Sequence, residues 1–202
     1  QEEWTPERNI ANIPHSWRAL IVGKPSSGKG VVLQNLILRQ DPPFDNIICY
    51  HIDPDGTNEW DICDATMTDV IPEIEDFNPE EKNLLIIDDI DIKGLDKNDR
   101  SRLDRFFGYL STHRNTSIAL LAQDAFQITA NIRRMANVIV LFKPSDYDSV
   151  NCLSRKVGMG SKELKGIFEK LMPDFHDSLM IDMTYKTPYQ LRKNIFQPIR
   201  KT

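Results

Sequence analysis

Ala19-Leu20-Ile21-Val22-Gly23-Lys24-Pro25-Ser26-Ser27-Gly28-Lys29-Gly30, continued by Val31-Val32-Leu33-Gln34-Asn35-Leu36-Ile37-Leu38, is the stretch that decides the fold class. Its first four residues are apolar and read as a buried strand. A glycine-bearing turn follows, and then an apolar-rich segment long enough for a helix. Strand, glycine turn and helix in that order are the setting of a phosphate-binding loop. Glycine lets the backbone curl round an anion, and the exposed N–H groups at the positive end of the following helix attract phosphate. Lys29 would reach the β- and γ-phosphates of ATP as a point charge. Gly23, Lys24, Pro25, Ser26, Ser27, Gly28, Lys29, Gly30 and Val31 are the candidate nucleotide contacts. The pattern G-x-x-x-x-G-K-[ST] is met up to its last place. Gly30 stands where a hydroxyl would normally ligate Mg²⁺, and the next residue, Val31, does not supply one.

The remainder of the chain bounds what such a loop can belong to. With 202 residues, 40% of them hydrophobic and 27% charged, the chain suits one domain with a full core. No apolar run approaches the roughly 20 residues that span a bilayer. The polar, acidic N-terminus does not read as a signal peptide. Cys49, Cys63 and Cys152 are widely spaced and show no metal-ligand pattern, which points to a reducing compartment. A net charge of -5 argues against a protein that coats nucleic acid over its whole surface, but not against a local DNA contact.

Residues 1–17 read as an N-terminal arm, 18–183 as the domain and 184–202 as a basic C-terminal tail. Trp4 and Trp17 read as packing residues rather than the edge of an adenine pocket. Strands are expected at Arg18–Val22 and Asn46–Ile52, with a helix over Gly28–Arg39 that Pro42-Pro43 forbid from continuing. The acidic stretch from Asp53 to Asp91 reads mostly as solvated surface, and His51 as a strand-end residue.

Leu84-Leu85-Ile86-Ile87-Asp88-Asp89 is the second landmark. Four apolar residues make a strand buried on both faces, as in a parallel sheet. Two carboxylates stand at its C-terminal end, where open α/β sheets bind ligands. Such a pair is costly unless something positive meets it, and nucleotide-bound Mg²⁺ is the natural partner. Asp88 is the candidate Mg²⁺ ligand, and Asp89 the group that orients or deprotonates the attacking water. A helix over Asn98–Thr112 carries Leu103, Phe106, Phe107 and Leu110 at core spacing. The apolar strand Ser117–Ala122 ends at Gln123, which can contact a γ-phosphate or cap a turn.

Val138–Phe142 is a further strand, followed by helices near Asp146–Arg155 and Ser161–Met172 and a last strand over Ser178–Met183. Arg114, Arg133 and Arg134 lie at loop or helix ends. Each can be an ordinary surface residue or a finger inserted into a neighbouring subunit's nucleotide site, and the sequence does not choose among them. In the tail, Lys186, Arg192, Lys193, Arg200 and Lys201 alternate with Tyr185, Tyr189 and Phe196. That mixture suits either a nucleic-acid or capsid contact or a docking tail.

The element order predicts a three-layer αβα sandwich with a mostly parallel sheet. The Gln-ended strand after the acidic one resembles P-loop ATPases of the additional-strand, RecA/FtsK-like type. In those, this strand lies between the loop-bearing strand and the acidic one, and the resemblance implies the same here. More narrowly, the chain resembles the FtsK–HerA superfamily and, within it, the poxvirus-type genome-packaging ATPases of large DNA viruses, virophages and related elements. The resemblance rests on Gly23-Lys24-Pro25-Ser26-Ser27-Gly28-Lys29, on Asp88-Asp89, and on Ser111-Thr112-His113-Arg114-Asn115 before the strand ending in Gln123. It also rests on the run from Asn131-Ile132-Arg133-Arg134 to Leu141-Phe142-Lys143.

It implies a homo-oligomeric ring, a pentamer or hexamer, that hydrolyses ATP with Mg²⁺ to drive double-stranded DNA into a preformed capsid. It implies a partner at the capsid vertex or a portal-like protein. The setting would be the host cytoplasm, a viral factory or the virion. It also implies an arginine acting in trans, Arg114 first and Arg133 or Arg134 second. Two other readings stay open. Gly30 admits a slow or non-hydrolysing nucleotide switch or scaffold. An AAA+-type DNA-processing accessory would need a helical lid with a sensor arginine, for which Ser161–Met172 is short and Arg-poor.

Overall fold

The computed structural model describes residues 13–143, 147–184 and 191–199. In chain order the strands are β1 (Arg18–Val22), β2 (Asn46–His51), β3 (Thr66–Thr68), β4 (Asn83–Asp88), β5 (Thr116–Ala122) and β6 (Val138–Phe142). They are followed by β7 (Ser178–Asp182), β8 (Leu191–Lys193) and β9 (Gln197–Pro198). The helices are α1 (Lys29–Leu38), α2 (Lys97–His113), α3 (Ala130–Met135), α4 (Asp148–Val157) and α5 (Ser161–Leu171).

Among the described residues, all nine strands join one sheet in the order β3-β2-β4-β5-β1-β6-β7-β8-β9. From β3 to β6 every pairing is parallel, and from β6 to β9 every pairing is antiparallel. The strand that ends before Gln123 therefore does lie between the glycine-loop strand and the acidic strand. All seven residues of β5 are buried, as a strand in the middle of a covered sheet requires.

Period-2 alternation splits the core into two layers. Leu20, Val22, Leu85 and Ile87 point to the face covered by α2 to α5, with Leu103, Phe106, Phe107 and Leu110 of α2 packed there. Ala19, Ile21, Leu84 and Ile86 point to the opposite face, where they meet Leu33, Leu36 and Ile37 of α1. Trp17 and Trp60 complete that side, both fully buried. Trp17 is thus a packing residue, while Trp4 lies outside the described residues.

Helix ends follow local chemistry. Asp96 Oδ1 accepts from the Asn98 and Asp99 N–H groups at 2.8 and 2.9 Å, which starts α2. Gly158, with φ of 67°, ends α4 in the left-handed conformation.

The C-terminal stretch departs from its reading as a tail. Leu191–Lys193 and Gln197–Pro198 extend the sheet beyond β7, so Ser178–Asp182 is not the last strand. Arg192 does not reach solvent: it is fully buried, with Nη2 3.1 Å from Asp182 Oδ2 on the neighbouring strand. Lys193 Nζ lies 3.2 Å from Asp177 Oδ2. Phe196 stacks under the Arg39 guanidinium, 4.9 Å from ring centroid to Cζ. Tyr185, Lys186, Tyr189, Arg200 and Lys201 lie outside the described residues.

Candidate nucleotide site

Parallel register brings the landmarks to one edge. Val22 pairs with Ala122, so Gly23 and Gln123 leave β1 and β5 side by side, and the Gly23 N–H donates to the Ala122 carbonyl at 3.0 Å. Ile87 pairs with Leu120, which sets Asp88 and Asp89 at the same edge on the other side of β5. This is the C-terminal edge, where parallel sheets bind ligands.

Two residues of the loop between β1 and α1 have left-handed backbones, Ser26 with φ of 61° and Gly28 with φ of 108°. Gly28 needs to be glycine, because L side chains rarely adopt that φ. Gly23 is held by crowding: a Cβ there would sit 2.6 Å from Ser27 Oγ and 2.9 Å from Phe142 Cβ. The Ser27 hydroxyl is buried and has no hydrogen-bond partner among the described residues. The Ser27 carbonyl meets His176 Nδ1 at 3.0 Å, which ties the loop to the chain entering β7. Lys29 Nζ donates to the loop's own carbonyls, Gly23 O at 2.8 Å and Lys24 O at 2.9 Å. Partial burial pulls the Lys29 ammonium below its usual pKa, opposed by Asp88, Glu59 and Asp89.

A cavity of about 650 Å³ opens over this edge. Pro25, Ser26, Gly28, Lys29, Gly30 and Val31 line it from the loop, with Asp88 and Asp89 from the acidic strand and Gln123 from β5. Gly23 and Lys24 line a second cavity of about 230 Å³, which shares Pro25 and Gln123 with the first. Pro25, Ser26, Gly28, Lys29, Gly30, Val31, Asp88, Asp89 and Gln123 are therefore brought together, while Gly23 and Lys24 face the second cavity and buried Ser27 lines neither. Asp88 is buried, and its Oδ2 accepts from Trp60 Nε1 at 3.0 Å. Burial pushes the Asp88 carboxyl above its usual pKa, and the indole N–H pulls it back in part. Asp89 is exposed and left-handed, with φ of 56°, a conformation that costs about 1 kcal/mol or more and concentrates at functional sites. The Gln123 N–H donates to Gln127 Oε1 at 3.3 Å.

The arginines lie elsewhere. Arg114 follows α2 and precedes β5, at the N-terminal edge of the sheet, where its carbonyl accepts from Asn83 Nδ2 at 3.0 Å. Arg133 turns inward and donates to the carbonyls of Ala125, at 3.0 Å, and Ile128. Arg134, the next residue of α3, is exposed. None of the three lines the cavity.

Four contributors were not singled out by sequence: Glu59, Trp60, Gln127 and His176. Only Trp60 carried a signal, as a large aromatic in an acidic stretch. Its neighbour Glu59 is one of many carboxylates there. Partial burial of its carboxyl raises Glu59 above its usual pKa, aided by Asp88 and countered by Lys29. His51, at the end of β2, also lines the cavity, so the strand-end reading and a place in the site hold together.

The donor set fits a nucleotide with its magnesium. The loop that lines the cavity carries an ammonium and the N–H groups at the start of α1, and Asp88 and Asp89 line it from the far side. At Gly30 the volume that a Cβ would need is taken by the Glu59 carboxylate.

No protein-family model and no curated protein matches the chain by sequence. Solved structures do match. B204, the DNA-packaging ATPase from Sulfolobus turreted icosahedral virus, aligns with a TM-score of 0.63 at 13% identity, over 91% of this chain and 98% of that one. The genome packaging NTPase B204 from Sulfolobus turreted icosahedral virus 2, in complex with AMPPCP, aligns with a TM-score of 0.60 at 13% identity, over 91% and 98%. The pCW3 conjugation coupling protein TcpA, with ATPγS, aligns with a TM-score of 0.52 at 18% identity, over 92% of this chain and 61% of that one. At these identities the likeness establishes the fold alone, a mostly parallel α/β P-loop NTPase fold. Among the described residues no helix is long and apolar enough to cross a membrane.

Proposed function

We propose that this chain, which has the fold of the FtsK–HerA P-loop ATPases, binds Mg-ATP and hydrolyses it as a ring-forming motor on double-stranded DNA. The motor would load a viral genome into a preformed capsid. One observation carries the reading: Pro25 to Val31 of the glycine loop (Ser27 apart), Asp88-Asp89 and Gln123 line one cavity at one sheet edge, with the Gln-bearing strand inserted between the other two. DNA packaging and conjugation coupling are the roles of two proteins with this fold, which supports DNA as the track. The capsid-vertex partner, the ring of five or six subunits and a place in the viral factory or virion belong to the same proposal.

The residues divide the work. Lys29 would leave the carbonyls of Gly23 and Lys24 for the β- and γ-phosphate oxygens. The amides from Ser26 to Gly30 would hold the β-phosphate at the start of α1. Asp88, oriented by Trp60, would hold Mg²⁺. Bound there, the cation would neutralise charge on the β- and γ-oxygens. Asp89 is exposed to the cavity and would take a hydrogen bond, and then the proton, from the attacking water. Gln123 would touch the γ-phosphate, so that its loss is felt on β5. An arginine from a neighbouring subunit would complete charge stabilisation, with Arg114 and Arg134 the candidates whose guanidinium groups are not folded back as that of Arg133 is. The Lys93–Lys97 segment, which leaves the active edge after the acidic pair, is proposed to meet the DNA backbone, a salt-sensitive and sequence-blind contact.

Phosphate release measured at rising protein concentration, with and without double-stranded DNA, tests this. Activity should rise more steeply than concentration, rise again with DNA, and fall by at least about 100-fold in Asp89→Asn, the order expected for loss of a general base. Release that is absent under all conditions while ATP still binds would overturn hydrolysis. It would favour the switch or scaffold reading, which Gly30 motivates.

A further inference from the structure

We infer that Glu59 supplies the oxygen ligand to Mg²⁺ that the phosphate loop itself lacks. The inference rests on the nucleotide reading above. Its starting point is a space. A Cβ built on Gly30 would lie 1.5 Å from Glu59 Oε1 and 2.4 Å from Glu59 Cδ. The Glu59 carboxylate therefore occupies the volume that the side chain of the usual serine or threonine would take. Glycine at position 30 and glutamate at position 59 are two halves of one exchange. The hydroxyl has gone from α1, and a carboxylate from the loop after β2 stands in its place.

The backbone that carries this carboxylate is held there. Gln34 Nε2, one turn along α1, donates to the Glu59 carbonyl at 2.6 Å, and the Glu59 N–H donates to Thr57 Oγ1 at 3.2 Å. The next residue, Trp60, is buried and donates to Asp88 Oδ2. One short segment thus seats Glu59 at the head of α1 and orients the carboxylate already assigned to the metal. Glu59, Asp88 and Lys29 all line the same cavity. Mg²⁺ takes oxygen ligands, commonly one or two carboxylates with phosphates and waters. Asp88 and Glu59 provide that pair, and the second negative charge offsets the loss of the loop hydroxyl. A carboxylate that served only to fill the space beside Gly30 would leave metal affinity unchanged when neutralised, and this separates the two roles.

The experiment is calorimetric titration of ADP into the intact chain, once with Mg²⁺ and once with EDTA. Wild type should bind ADP more tightly with Mg²⁺. In Glu59→Gln that Mg²⁺-dependent gain should shrink by about tenfold or more, the scale of losing a group that sets metal affinity, while binding in EDTA stays as it was. Glu59→Ala should behave alike, and adding Gly30→Ser to it should restore the gain, since space for the hydroxyl is then free. The Mn²⁺ resonance of the ADP complex should change between wild type and Glu59→Gln. Glu59 is exposed, so these variants should keep the wild-type circular dichroism spectrum. An undiminished Mg²⁺ gain in Glu59→Gln would overturn the ligand role and leave the nucleotide site standing. Equal tightening with and without Mg²⁺ would make Glu59 a space-filling plug and overturn it too. Wild type that binds no ADP in either condition would overturn the nucleotide site, and the role of Glu59 with it.

Discussion

His15 shows how a single residue can set the pH response of the fold. Its ring joins two segments: Nε2 lies 2.9 Å from the Asn115 carbonyl, and Nδ1 lies 2.9 Å from Ser117 Oγ, at the entry to β5. Burial lowers its pKa below the ordinary 6.5, with Lys82 adding to the effect and Asn115 opposing it. A group whose folded pKa is depressed binds more protons when unfolded. Its contribution is therefore complete above about pH 6.5 and is lost as pH falls toward the folded pKa. Urea unfolding between pH 7.5 and pH 5 should show stability falling with acid, and His15→Gln should flatten that slope. Equal slopes would remove His15 as the cause. At this scale the sequence was readable where chemistry is local. Lys29, Asp88, Asp89 and Gln123 each declared themselves by their place after an apolar run. Glu59 did not, because nothing in an acidic loop tells which carboxylate faces Gly30.

Among the elements, β8 is where sequence and structure part. Leu191-Arg192-Lys193 has a basic centre and no apolar run, so it reads as tail. It becomes a strand because Arg192 meets Asp182 across the β7–β8 pairing and Lys193 meets Asp177. Asp182 also accepts from the Thr184 N–H at 2.9 Å, which satisfies its second oxygen need from its own chain. Removing one partner of a buried pair leaves an uncompensated charge. Arg192→Ala should therefore cost about 3–5 kcal/mol in denaturant unfolding, whereas replacing both Arg192 and Asp182 by apolar residues of similar size should cost much less. A loss below 1 kcal/mol in the single variant would mean that β8 is not held by this pair. Three other elements were not foreseen for a related reason. β3 has three residues, α3 has six and β9 has two, too short for either hydrophobic period to show. β1, α1, β2, β4, α2, β5 and β6 were legible, since each buries a run or stripe of apolar side chains.

For the molecule as a whole, the arrangement separates the arginines from the cavity of their own chain. Arg114 is at the opposite edge of the sheet, and Arg134 is exposed on α3. If turnover needs an arginine from a neighbour, mixing inactive subunits into a wild-type pool will poison it. Arg114→Ala doped into wild type should lower phosphate release by more than its mole fraction, and homogeneous Arg114→Ala should lose about 10³-fold or more. Arg133→Ala should instead lower the melting temperature, because its guanidinium bridges the Ala125 and Ile128 carbonyls within the chain. Wild-type turnover in Arg114→Ala would pass the role to Arg134.

The sequence by itself determined the element types, the phosphate loop and the acidic pair, because these are written in neighbouring residues: apolar runs, glycine turns and carboxylates at strand ends. It also carried the likeness that placed the Gln-ended strand in the middle. Only the tertiary structure decided the rest. It turned the sheet antiparallel after β6 and added β8 and β9 beyond β7. It drew Arg192 into the interior and set the Glu59 carboxylate against Gly30. Strand order and cross-loop contacts depend on which surfaces bury each other best, a choice made between segments far apart in the chain, and no local pattern encodes it.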